Sequence, residues 1–120
     1  MKLVMDTNFV MEVARNKIDL ERELKRIMEY PYELYIISGT REELKKIAEE
    51  QKGKDRGTAK LALEMIKDVK TLEVNGKNVD EKLVDVSDKN TIIATQDREL
   101  KKKIKGRIIV VRQKKYLKLI

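Results

Sequence analysis

The sequence predicts one α/β domain, a central parallel sheet of about five strands flanked by helices. Three observations carry this. Short apolar runs alternate in order with helix-length amphipathic stretches, the signature of layered α/β folds. Four of those runs are almost continuously apolar, as strands covered on both faces are. With 120 residues, 41% of them hydrophobic, the chain fills one core and is short for a second.

In chain order, Leu3-Val4-Met5 reads as the first strand and residues 8–15 as a helix after it. A second helix is expected over 19–29, where Leu20, Leu24, Ile27 and Met28 form one stripe. Pro31 stops it, since proline has no N–H to continue the ladder. Leu34-Tyr35-Ile36-Ile37 reads as the second strand, with Gly39 marking the turn beyond it. A helix over 41–51 carries Leu44, Ile47 and Ala48 on one face. Gly53 and Gly57 then bracket a polar loop, Lys54-Asp55-Arg56, before a helix over 56–69. Thr71-Leu72-Glu73-Val74 alternates as a third strand, and 80–88 reads as a helix. Thr91-Ile92-Ile93-Ala94 is the fourth strand, 98–105 a Lys-rich helix, and Arg107-Ile108-Ile109-Val110-Val111 the fifth strand before a basic tail.

Composition narrows the chemistry. The chain has no Cys and no His, which excludes disulfides, thiolate zinc sites and nucleophiles activated by imidazole. Carboxylates, amines, guanidines, hydroxyls or metal-activated water must serve instead. No apolar run approaches the roughly 20 residues that cross a bilayer. Asp6 falls too early for a signal peptide, so a soluble, cytoplasmic protein is expected. Abundant Lys, Glu and Ile with no Trp resemble the ion-pair style of thermophile surfaces. The net charge of +7 is uneven: residues 98–120 hold 10 basic side chains and one acidic, leaving 18 and 20 for the rest. A basic segment on a balanced body suggests a polyanion partner.

In an open parallel sheet, functional groups gather beyond the carboxyl ends of the strands. Asp6-Thr7-Asn8 follows the first strand, Glu42-Glu43 the second, and Asp97 the fourth, while Asp80-Glu81 opens the helix before the fourth. Singly, each reads as a helix cap or an acidic first turn, with Thr40 to Glu43 a capping box. As a set they would repel one another unless a cation sits among them. Oxygen donors alone favour Mg²⁺ or Mn²⁺ over zinc, and such an ion assists phosphodiester hydrolysis without histidine.

These residues, in this order, resemble the PIN-domain ribonucleases along essentially the whole chain. Val4-Met5-Asp6-Thr7-Asn8 is similar to the family's opening Asp-Thr-Asn, Gly39-Thr40-Arg41-Glu42-Glu43-Leu44 to its Glu-Leu segment, and Thr95-Gln96-Asp97-Arg98-Glu99-Leu100 to its Thr-x-Asp-Arg segment. Residues 53–63 most resemble the branch of archaeal and eukaryotic small-subunit pre-rRNA processing nucleases, with VapC toxins the next branch. The resemblance implies a three-layer PIN-like domain over 1–120 and metal-dependent cleavage of single-stranded RNA in rRNA processing, with a VapC-type toxin role as the alternative. It implies metal ligation by Asp6, Glu43 and Asp97, with Glu81 at the third acid position, so that Asp6, Glu81 and Asp97 would hold Mg²⁺ or Mn²⁺, Glu43 would orient or deprotonate the attacking water, and Asn8 and Thr95 would support the site. Asp80 is the neighbouring candidate ligand, since Asp-Glu-Lys stands where the family usually has Asp-Asp and a small residue. Lys82 would then pair with a carboxylate, and Asp85 would compensate one turn on. Arg41, Arg98, Lys101, Lys102, Lys103 and Lys105 are the expected RNA contacts. Expected partners are RNA, a second copy as homodimer, and an antitoxin or ribosome-assembly factor, but no membrane. A non-catalytic RNA-binding module of the same fold is the rival reading. A phosphoacceptor receiver domain is disfavoured, because Arg112 stands where that fold needs a Lys after its last strand.

Overall fold

The computed structural model describes residues 1–87 and 90–120, and of Asp80 the backbone alone. The strands are β1 (Lys2–Met5), β2 (Glu33–Ile37), β3 (Lys70–Leu72), β4 (Thr91–Ala94), β5 (Ile108–Arg112) and β6 (Tyr116–Leu119). The helices are α1 (Thr7–Arg15), α2 (Leu20–Ile27), α3 (Thr40–Glu50), α4 (Lys54–Met65), α5 (Val79–Val86) and α6 (Arg98–Lys103). The sheet order is β3-β2-β1-β4-β5-β6, with β1 to β5 parallel and β6 antiparallel to β5. The order reverses between β1 and β4, where Met5 lies opposite Ala94. A crevice at such a reversal is where open α/β sheets hold ligands.

Strand alternation sorts the core into two layers. Leu3 and Met5 of β1, Ile36 of β2 and Ile109 of β5 pack with Phe9, Val13, Leu24, Leu44, Ala59 and Ile66 from α1 to α4 and the residue after it. Val4, Ile37 and Ile93 turn to the other face and meet Leu83 of α5 and Leu100 of α6. The three-layer α/β expectation therefore holds.

Three local expectations are corrected. The basic tail is a strand: Leu117 and Leu119 alternate inward with Lys118 outward. Its turn, Gln113-Lys114-Lys115, has no Gly, Asn or Pro to announce it. The polar loop at 53–57 is shorter than expected. Gly53, at φ +68, makes the break, and α4 begins at Lys54, so Gly57 lies inside the helix. The capping box at Thr40 does not form, because the N-cap of α3 is Gly39, at φ +104, and Thr40 is already helical with its hydroxyl buried and unpartnered. The expected end of the fifth helix at residue 88 lies outside the described residues, and α5 runs to Val86.

Candidate active site

The site is built from the two strand ends at the reversal. Asp6 follows β1 directly, its N–H bonded to the Ala94 carbonyl at 3.0 Å. Its Oδ1 caps α1 by accepting the Phe9 N–H at 2.6 Å, and its Oδ2 accepts the Thr95 hydroxyl. Asp6 is only 2% exposed, and burying such a polar group is costly without hydrogen-bond partners. The Thr95 oxygen also accepts the Asp97 N–H at 3.1 Å. One hydroxyl thus links the Asp6 carboxylate to the Asp97 main chain. Asp97 in turn caps α6, its Oδ1 accepting the Glu99 and Leu100 N–H groups at 2.9 and 3.2 Å.

Capping and site formation coincide here. A cap aims a carboxylate at the helix N-terminus, and here α1 and α6 start at adjacent strand ends, each with an Asp as its N-cap. Gln96, which sequence reasoning passed over, fixes the second strand end. Its amide donates to the Val111 carbonyl at 3.3 Å and accepts the Val111 N–H at 2.6 Å, extending the β4–β5 pairing by one side chain.

Asn8, Met11, Glu12 and Arg15 line a groove beside Asp97, closed on its other side by Ile47, Gln51 and Asp55. The spacing of the α1 residues is that of one helix face, a signal that would have revealed Glu12. Asn8 is exposed on this wall, so hydrogen-bond support of the acids comes from Thr95. Glu43 stands in the first turn of α3, exposed, beyond the end of β2.

On α5, Asn78 caps the helix by accepting the Glu81 N–H at 2.9 Å, while Glu81 Oε2 accepts the Lys77 N–H at 3.1 Å. Glu81 nevertheless lines a groove with Asp97 and Asp85. The Asp80 side chain lies outside the described residues. Among the described residues Lys82 does not pair with a carboxylate as expected. Its ammonium donates to the Ser38 carbonyl at 2.8 Å and its hydroxyl at 3.3 Å, tying α5 to the end of β2. Arg41 also turns inward, donating to the Ile66 and Val69 carbonyls at the end of α4.

Lys101 is half-buried on α6. Burial pushes its ammonium below the usual lysine range, helped by repulsion from Arg112 and Arg98 and opposed by Asp97 and Asp6. It therefore stands near both acids. Arg98, Lys102, Lys103 and Lys105 are exposed, with Lys102 in a surface ion pair to Glu99 at 3.5 Å, worth little.

Among the described residues no group of three or more acids is gathered tightly enough to hold a metal ion. The four acids do not form one closed cage there. The donor set still fits a hard cation, because Mg²⁺ keeps most of its water and commonly takes one or two carboxylates with substrate phosphate. Asp6 and Asp97, the N-caps of α1 and α6, are the candidates for that pair.

A profile of the PIN-like domain family matches residues 3–114. Ribonuclease VapC4 of Methanocaldococcus jannaschii is 35% identical over 125 residues, covering 98% of this chain and 95% of that protein. Ribonuclease VapC9 of Archaeoglobus fulgidus is 32% identical over 110 residues, covering 90% and 78%. The solved PIN domain endonuclease Utp24 superposes with a TM-score of 0.71 at 22% identity, over 98% of this chain and 90% of that one.

Proposed function

Because the chain belongs to the PIN-like domain family, we propose that it is a metal-dependent endoribonuclease that hydrolyses phosphodiester bonds of single-stranded RNA. The observation that carries this reading is the Thr95 hydroxyl, which joins Asp6 to Asp97 where the strand order reverses. The ribonuclease names of the two relatives point the same way.

Asp6 and Asp97 would hold Mg²⁺ or Mn²⁺, with Glu81 or Asp80 as the contribution of α5. The ion would supply charge to the phosphate and ease proton loss from water. Thr95 keeps Asp6 oriented. Glu43 would orient or deprotonate the attacking water, and Asn8 offers an amide donor from the groove wall. Lys101 places its ammonium beside the phosphate being cleaved, while Arg98, Lys102, Lys103 and Lys105 draw in the flanking backbone. Arg41 acts indirectly, by holding the end of α4.

The test is cleavage of labelled single-stranded RNA with Mg²⁺ or Mn²⁺, abolished by chelation and lowered about 100-fold or more in Asp6→Asn and Asp97→Asn. RNA binding without cleavage in either ion would favour the non-catalytic module. For biological role, two VapC relatives favour a toxin with an antitoxin partner over rRNA processing. Growth arrest on expression, relieved by an adjacent gene product, supports the toxin, whereas co-purification with precursor ribosomal particles supports processing. A homodimer belongs to the same proposal, and light scattering of the purified chain checks it.

A further inference from the structure

A second groove, of about 530 Å³, lies between the α1–α2 connection and the β5–β6 turn. Lys17, Arg22, Lys114 and Lys115 line it, and among the described residues none of the four forms an ion pair. Its acids are engaged locally: Asp19 caps α2 through the Arg22 N–H, and Glu23 binds Arg26 and the Leu117 N–H. The groove therefore carries unbalanced positive charge.

The backbone supplies an independent observation. After α1, the Lys17 N–H donates to the Ala14 carbonyl at 3.2 Å and the Ile18 N–H to Val13 at 3.1 Å. This is a Schellman ending, whose left-handed residue is usually glycine. Here it is Lys17, at φ +52. The turn after β5 likewise has Gln113 and Lys114 at φ +51 and +57, where Asn-Gly is favoured. Non-glycine residues at such angles cost stability and concentrate at functional surfaces. Two lysines hold positions suited to glycine, and both line the same groove.

The two grooves lie along the same helix, one beside α1 and the other at its C-terminal end. The first groove follows α1 from Asn8 to Arg15 beside Asp97. The second begins at Asn16, about 12 Å along the helix from Asn8. Across from α1, Arg112 ends β5 just before the strained turn and lies close enough to Lys101 to repel it.

Resting on the ribonuclease reading, we propose that this groove binds the phosphodiester backbone of the same RNA strand, several nucleotides from the cleaved bond, through Lys17, Lys114 and Lys115. The test uses Asp97→Asn to prevent turnover, and fluorescence anisotropy with single-stranded RNA of about 4 and about 12 nucleotides at several salt concentrations. The parent binds the longer RNA more tightly. A variant combining Lys17→Gly, Lys114→Gly and Lys115→Ala folds with a Tm at or above the parent's, since glycine suits both backbone positions. Its affinity for the longer RNA falls about tenfold, its log–log salt slope flattens by about two, and its affinity for the shorter RNA falls far less. Lys46→Ala, Lys60→Ala and Lys67→Ala together remove the same charge from outside both grooves and leave the longer RNA within about twofold of parent affinity. Equal loss in that control, or undiminished binding by the glycine variant, overturns the proposal. A parent that binds neither RNA overturns the ribonuclease reading with it. A poly-glutamate peptide that binds the parent but not the glycine variant, with RNA binding unchanged, reassigns the groove to an acidic protein segment.

Discussion

Thr95 does two things with one oxygen, donating to Asp6 and accepting from Asp97. Thr95→Val keeps the shape but leaves a buried carboxylate oxygen and an N–H short of partners. Urea unfolding is expected to show a loss of about 2–3 kcal/mol, and RNA cleavage should fall at least tenfold because Asp6 loses its orientation, whereas Thr95→Ser stays near the parent. Asp6 and Asp97 were legible in the sequence because an acid directly after an apolar run is both a cap and a sheet-edge group. Lys82 and Arg41 were not. Their acceptors are main-chain carbonyls 44 and 25 residues away, and no residue pattern encodes such a pairing.

Among the elements, β6 was missed because its turn is made by residues that disfavour it, yet the strand is anchored by helix side chains. An edge strand exposes unpaired backbone groups. Here the Leu117 N–H donates to Glu23 at 2.9 Å, and its carbonyl accepts Arg26 at 2.6 Å. Arg26 and the Leu117 N–H hold the Glu23 carboxyl below its ordinary value of 4.5. Its stabilising effect is thus complete above that pH and is lost as pH falls through the lowered value in the folded state. Glu23→Gln should accordingly be less stable than the parent at neutral pH, with the gap in Tm closing under acid. α4 supports a contrary prediction. Gly57 sits in the helix with open space where a Cβ would stand, so Gly57→Ala should add about 0.5–1 kcal/mol in thermal unfolding. Gly57 is not the loop boundary that its residue type suggests, because Gly53, at φ +68, already makes the break.

At the scale of the molecule, the order of elements was readable, but the order of strands in the sheet was not. Alternating runs show that strands are parallel and covered, whereas the neighbourhood of β1 and β4 depends on contacts between residues nearly ninety positions apart in the chain. That neighbourhood creates the candidate site. No helix among the described residues is long and apolar enough to cross a membrane. The joint between β4 and β5 is narrow: only Ile93–Ile108 and Ala94–Ile109 are paired, against four pairs on each side of β1. The β5–β6 ribbon is therefore expected to open ahead of the rest of the sheet. Amide protons from Val110 to Leu119 should exchange with deuterium as a block, ahead of Leu3 to Met5. Gln96→Leu, which cuts the side-chain splice to Val111, should accelerate that block selectively. Each such opening would part Arg112, Lys114 and Lys115 from Asp6 and Asp97 while β1 to β4 stay paired.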